Sequence, residues 1–325
     1  MAIPAPIRLV TLGGGTGLST LLSGFRSRLR PPGNQFSLTA VVTVTDDGKS
    51  SGRLREEFGV LPPGDIRNCL TALAVPDEMM TRLFRYRFPG TGPLGGHSLG
   101  NLVLIALSQL TGNFLEGIEE AARLLNADAR VLPSTLDKVD LVAVTEGRRT
   151  LRGQVAIKSY NEPIRNISLD PPDATALPEA VDAILSADVI TIGPGSLFSS
   201  VIANLLVPGI REALTNTPAT KIYICNAMTE FDETDGLTAV DHLRRLLDHA
   251  PGLKLDYAIF NSSPISDEMR ERYALEKAIA LEPPGEPPGD LAGIKFISLP
   301  LASEHLFVRH DPARLVDAIF KVYSA

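Results

Sequence analysis

The chain has 325 residues, 44% hydrophobic and 21% charged, a balance that fits a globular protein and excludes extensive disorder. Its formal net charge of -7 excludes a general nucleic-acid binder, which needs Lys and Arg to displace counterions from phosphates, but leaves room for a local basic pocket. Two cysteines, Cys69 and Cys225, are too few for a disulfide framework and read as reduced thiols in or near the core. No apolar run reaches the length of a membrane span, and residues 1–6 are too short for a signal peptide, so a cytoplasmic location is expected.

In chain order, residues 7–12 form a short β-branched run that ends in Gly13-Gly14-Gly15-Thr16-Gly17. Leu18, Leu21, Leu22 and Phe25 then follow at helical spacing, and residues 31–33 (Pro-Pro-Gly) read as a loop. Residues 38–44, dense in Val and Thr, predict the next buried strand, which completes the strand, glycine loop, helix, strand order of a parallel sheet. Residues 62–126 read as mostly helical, with Leu99, Leu102, Val103, Leu107 and Leu110 on one broad apolar face. Residues 141–145 and 154–157 flank Glu146-Gly147-Arg148-Arg149 and predict a β-hairpin. Further strands are predicted at 189–192, 221–225, 257–260 and 294–299, and 282–290 reads as an exposed Pro-Gly loop. The expected fold is α/β: a Rossmann-like, mainly parallel, doubly wound sheet. One domain spans 1–325, with a helical and β-hairpin insertion at about 62–160.

Six polar segments carry the chemistry. Gly13, Gly14, Gly15, Thr16 and Gly17 let the backbone approach a phosphate at a helix N-terminus. The segment is neither a P-loop, lacking Gly-Lys-Ser/Thr, nor a full dinucleotide fingerprint, because Leu18 stands where a third glycine belongs. After the second strand come Asp46, Asp47, Lys49, Ser50, Ser51 and Arg53; the two carboxylates suit Mg²⁺, ribose hydroxyls or a base, the cations an anion, and a serine a helix cap. In Pro63-Gly64-Asp65-Ile66-Arg67-Asn68, Asp65 reads as a helix cap. Arg67 opposes the helix dipole there unless an anion is near, which makes it a candidate ligand contact, with Asn68 beside it. His97, between glycines and Ser98, is a candidate to face the site, with Ser98 as N-cap and Asn101 in the same turn. Gly193, Gly195, Ser196 and Leu197 repeat the layout of the first glycine loop, and two such loops suit the two ends of a nucleotide diphosphate. Asn226, Met228 and Thr229 open an acidic loop suited to hydroxyls, with a solvated loop as the alternative.

These segments, in this order, together with Arg309-His310-Asp311-Pro312, resemble the YvcK-like gluconeogenesis factor family, over nearly the whole chain. Its relatives include the CofD-like 2-phospho-L-lactate transferases of deazaflavin cofactor synthesis. The resemblance implies a CofD-like nucleotide-binding fold and binding of UDP-sugars, notably UDP-N-acetylglucosamine. It also implies a role in cell shape and in growth on gluconeogenic carbon sources. Tyr273 and Arg309 match residues implicated in that binding. A homo-oligomer and cell-wall synthesis proteins remain open as partners. Two departures stand out: Lys49 replaces a usual glycine, and Glu230-Phe231-Asp232 replaces a usual Gln-Pro-Gly. The alternatives are a CofD-like transferase, with Asp46 or Asp47 as base or Asp46 as Mg²⁺ ligand, and an NAD-binding protein. The last is weakened by the incomplete fingerprint.

Overall fold

The computed structural model describes residues 6–29, 36–160, 162–304 and 307–324, apart from the Lys49 side chain. The 31–33 loop and any phosphate contact by Lys49 lie outside the described residues. The strands are β1 (Ile7–Gly13), β2 (Phe36–Val42), β3 (Arg130–Pro133), β4 (Asp140–Thr145), β5 (Thr150–Arg152), β6 (Ile164–Asp170), β7 (Val189–Ile192), β8 (Thr220–Ile224), β9 (Tyr257–Asn261), β10 (Lys295–Leu299), β11 (Ala302–Glu304) and β12 (Val308–His310). The helices are α1 (Gly15–Leu29), α2 (Lys49–Phe58), α3 (Gly64–Leu73), α4 (Met79–Arg85), α5 (Leu99–Thr111), α6 (Phe114–Leu124), α7 (Gln154–Lys158), α8 (Pro178–Leu185), α9 (Ala203–Leu205), α10 (Pro208–Asn216), α11 (Ala239–Asp248), α12 (Asp267–Leu275) and α13 (Pro312–Tyr323).

Seven strands make one parallel sheet in the order β10-β9-β8-β7-β1-β2-β3. Helices cover both faces of such a sheet, so its central strands are apolar throughout. All four residues of β7 are buried, as are Leu9 to Gly13 of β1. Leu18, Leu21, Leu22 and Phe25 recur at helical spacing and put the buried face of α1 into the same core. The C-terminal helix α13 closes against α1. Phe25 meets Phe36 edge-on at 5.5 Å and Phe320 at 6.2 Å, so three rings tie the first helix, the second strand and the last helix together. Among the described residues no single helix is long and apolar enough to cross a membrane.

Several expectations need correction. The hairpin is β4–β5, with β6 as a third antiparallel strand. Residues 154–157 are not its second arm but lie in α7: Gly153 leaves the strand at φ +88°, and the Asp47 carboxylate accepts the Val155 N–H at 2.8 Å, capping the new helix. A second tie, Arg55 to Asp140 at 2.6 Å, fastens this small sheet to α2. The second strand ends at Val42, leaving Thr43 to Thr45 as buried loop. On α5 the buried face is Gly100, Asn101, Leu104 and Ile105, whereas Leu110 is 83% exposed. The expected apolar stripe is displaced because α5 packs through its small residues: a Cβ on Gly100 would stand 2.6 Å from the Phe84 carbonyl. Both cysteines are free and buried.

Gly24 makes the α1–α13 contact possible, since a Cβ there would lie 2.2 Å from the Pro312 carbonyl oxygen. Gly24→Ala should therefore lower unfolding stability by about 1–3 kcal/mol, through forced separation of the helices rather than lost propensity. Urea denaturation checks this: the midpoint should fall at unchanged slope, and an unchanged midpoint would refute the close contact.

Candidate functional site

The chain leaves β1 toward β2 and β3 and later returns to β7 on the other side of β1. Strand order reverses between β1 and β7, and open parallel sheets hold ligands at the C-terminal ends of strands beside such a reversal. Both glycine loops lie there. A Cβ on Gly17 would stand 2.5 Å from the Pro194 oxygen and 2.6 Å from Gly195, so the loops touch backbone to backbone. Gly15 (φ +58°) and Gly193 (φ +83°) adopt turns that favour glycine. The second loop runs into a π-helical turn, Leu197–Ile202, rather than an ordinary helix start. The buried Glu233 accepts the N–H groups of Phe198 and Ser199, at 2.8 and 2.7 Å, and fixes that turn.

A cavity of about 400 Å³ opens over this junction. Of the residues expected in the site, Thr16, Gly17, Gly195, Ser196, Asn226, Met228, Thr229, Tyr273 and Arg309 line it. Asn226 staples the second loop, accepting from Gly195 N–H at 3.0 Å and donating to Gly195 carbonyl at 2.9 Å. Tyr273, on α12, and Arg309, on the β11–β12 hairpin, reach the cavity from outside the main sheet. The Val308 N–H donates to the Tyr273 hydroxyl at 3.0 Å, and the Arg309 guanidinium stands 5.3 Å from the centre of the Phe307 ring.

Sequence reasoning missed Lys158, Glu230 and Glu233. The Lys158 ammonium lies 3.3 Å from Glu233 and 3.6 Å from Glu230, and it donates to Ser196 Oγ at 3.3 Å. Ser196 in turn donates to Glu230 at 2.6 Å. Burial opposes the Lys158 charge, but Glu233 and Glu230 outweigh it and hold the amine above its ordinary pKa. Burial and then Glu233 push the Glu230 carboxyl upward. Lys158 gave no signal because the segment around it read as strand.

The remaining expected residues divide between a second space and the supporting framework. A groove of about 1240 Å³ is lined by Asp46, Asp47, Ser50, Ser51, Arg53, Arg67, Asn68 and Asn101. Asp46 accepts from the Gly48 N–H at 2.9 Å. Asp47 is turned onto α7, and burial raises its carboxyl. Arg53 donates to the carbonyls of Gly95 and Pro93 and props that loop. His97 is buried behind Ser50, its Nδ1 3.0 Å from the Ser50 hydroxyl, and is absent from the groove lining; burial lowers its pKa. Ser98 caps α5 as expected, accepting from Asn101 N–H. No serine caps α2, whose N-cap is Gly48. Gly13, Gly14, Gly15, Gly193 and Leu197 shape the junction without lining either space. The Gly13 carbonyl accepts from Asn204 at 3.0 Å, and Leu197 is buried in the π-turn.

Asp65 does not cap α3, because Pro63 holds that position. Its carboxylate instead accepts the Gly15 N–H and packs where a Cβ on Gly14 would stand, 2.7 Å from Oδ2. Burial first, then the charge of Asp46, raises the Asp65 carboxyl to about 7. The described residues hold no group of three or more His, Cys, Asp or Glu able to bind a metal. Asp46 suits the pattern of Mg²⁺ held by one or two carboxylates plus ligand phosphates, whereas Asp47 is committed to α7.

The raised Asp65 pKa has a defined sign. The folded state keeps a proton that the unfolded carboxyl loses from about pH 4 upward, so this group costs stability as pH rises toward 7. Asp65→Asn stays neutral and lacks that loss. Urea unfolding at pH 5 and pH 8 should show the stability difference, variant minus parent, growing at the higher pH; equal differences would contradict the buried proton.

The family model described as "2-phospho-L-lactate transferase CofD" matches residues 9–297. A protein named "Gluconeogenesis factor" from Halalkalibacterium halodurans is 45% identical over 270 residues, covering 83% of this chain and 82% of that one. Another of that name, from Bacillus subtilis, is 39% identical over 318 residues, covering 96% of each. A crystal structure of a Bacillus halodurans protein matches with a TM-score of 0.91 at 42% identity, covering 97% of this chain and 99% of that one. The junction of two glycine loops beneath one cavity thus sits in a chain whose length and fold are shared with these relatives; it belongs to the CofD family and, within it, to the YvcK-like gluconeogenesis factors.

Proposed function

We propose that the protein binds a nucleoside diphosphate sugar of the UDP-N-acetylglucosamine type in the cavity over the two glycine loops. In this reading it acts as a binding protein that regulates cell shape and growth on gluconeogenic carbon sources. The observation that carries it is the chemistry of the two ends of the cavity. One end offers glycine backbone, Ser196 and Lys158, which suits a diphosphate. The other offers the Tyr273 ring, Phe307 and Arg309, which suits a base or sugar edge with a phosphate within reach. Charge supports the same assignment. Lys158 is already balanced by Glu230 and Glu233, whereas Arg309 forms no ion pair among the described residues and is free to meet an anion. The name of the relatives, "Gluconeogenesis factor", supports the part that concerns growth on gluconeogenic carbon sources.

A second reading is a transferase that moves a phospho-lactyl-type group from a nucleotide diphosphate donor to an alcohol. One observation favours it. Asp46 lines the groove and its charge acts on Asp65; in this reading it takes the acceptor hydroxyl proton or holds Mg²⁺ with the donor phosphates.

Calorimetry with UDP-N-acetylglucosamine, GDP and NAD, with and without Mg²⁺, separates these readings. Arg309→Ala should weaken UDP-N-acetylglucosamine binding by roughly tenfold to a hundredfold, the value of a charge-assisted hydrogen bond. Tyr273→Ala should weaken it too, and Asp46→Asn should weaken it less than Arg309→Ala. Unchanged affinity in both the Tyr273 and Arg309 variants would refute the sugar-nucleotide reading. Phospho-lactyl transfer to a deazaflavin alcohol, abolished by Asp46→Asn, would put the transferase reading in its place.

A further inference from the structure

The groove beside the nucleotide cavity is a separate space. The two share no lining residue, and α7 stands between them: Val155 and Ala156 face the groove, while Lys158 faces the cavity. The geometry points to this groove as a second ligand site that binds the oxyanion of a small hydroxylated acid, a phosphate or carboxylate, on Arg67 and Arg87. This goes beyond the nucleotide reading and does not depend on it.

The observation behind it is a buried guanidinium without a counter-ion. Arg67 is only 9% exposed and lines the groove, yet its Nε has no hydrogen-bond partner. Its guanidinium donates to the neutral Asn68 side chain, at 2.6 Å, and it forms no ion pair among the described residues, the charges of Asp65 and Asp46 acting on it only from beyond contact. It also sits in the first turn of α3, where the helix dipole disfavours a cation. Burial, then the nearby charge of Arg87, lowers its pKa to about 10 against the opposing pull of Asp65 and Asp46. Such an arrangement is costly unless an anion enters it.

The other groove charges are already engaged. Arg152 pairs with Asp140 and Asp170, and Arg53 is bonded to loop carbonyls. Asp47 is held on the α7 backbone and Asp46 on Gly48 N–H; Glu56 also lines the groove. Among the described residues Arg87 gives only one nitrogen, to the Gly96 carbonyl, so an entering anion seats at the Arg67–Arg87 end. A second orphan sets the rest of the ligand. Asn101 is 1% exposed and lines the groove; its amide nitrogen donates to Ser50 Oγ at 3.1 Å, but its Oδ1 has no partner. An acceptor left open there asks for a donor, which a hydroxyl on the bound acid supplies.

The test titrates the full chain with sodium phosphate, glycerol 3-phosphate and malonate at constant ionic strength, by calorimetry and thermal shift. Saturable binding is expected, with glycerol 3-phosphate tighter than phosphate because it adds the hydroxyl. Malonate binding more tightly than both would assign the oxyanion as carboxylate, and the reverse as phosphate. Arg67→Gln and Arg87→Gln should each weaken binding by roughly tenfold or more, and Arg309→Ala should leave it unchanged. Arg87 is exposed, so its variant carries the test if Arg67→Gln fails to fold. The proposal is overturned if folded Arg87→Gln binds all three anions as the parent does, if none of them binds saturably at millimolar concentration, or if Arg309→Ala alone abolishes binding. Phosphate binding lost in Arg87→Gln, in a protein that fails to bind UDP-N-acetylglucosamine, would support this site while removing the nucleotide reading.

Discussion

The structure depends on one close approach, that of the two glycine loops at the C-terminal ends of β1 and β7. Gly17 lies so near Pro194 and Gly195 that no side chain fits between them. Two backbones brought together without side chains leave room above them for a ligand to approach the main chain closely. Much of the surrounding architecture maintains this approach. Asn226 bonds both backbone groups of Gly195, and Asn204 reaches back from α9 to the Gly13 carbonyl. Glu233 holds the π-turn itself.

The electrostatics around the junction are arranged in two different ways. On the side of β7 and β8, the buried cation is compensated: Lys158 is enclosed by two glutamates and Ser196. On the side of α3, compensation is incomplete. Burial and Asp46 raise the Asp65 carboxyl despite the charges of Lys158 and Arg67 nearby, and Arg67 has no carboxylate in contact among the described residues. A desolvated charge left unpaired weakens the folded state, so its place in the wall of a large groove points to a role in recognition rather than stability.

Helix α7 joins these two regions. It is short and would be marginal alone, but the Asp47 carboxylate caps it and the β4–β6 sheet carries it. Its two ends face the two spaces, so a shift of α7 would be felt in both.

Much of this was legible in the sequence. The β-branched runs at β1, β2 and β7 are buried on both faces, so their apolar character alone marks them as central parallel strands. The glycine loops were visible because only glycine tolerates such turns and such proximity, and that requirement is local. Tyr273 and Arg309 were found only by resemblance, since nothing local distinguishes them from a surface aromatic and a loop cation. The rest required the tertiary structure. The 154–157 segment has strand-like composition, and a carboxylate more than a hundred residues earlier, Asp47, makes it a helix. Asp65 looked like a cap and became a buried acid with a raised pKa because folding encloses it and brings Asp46 beside it, against the Gly15 N–H that favours its charge. The division of the polar motifs between two spaces, and the pairing of Lys158 with Glu230 and Glu233, arise from contacts between distant segments. Pattern and propensity record what each segment prefers by itself, whereas burial and charge balance are set only when the chain has folded and its loops meet.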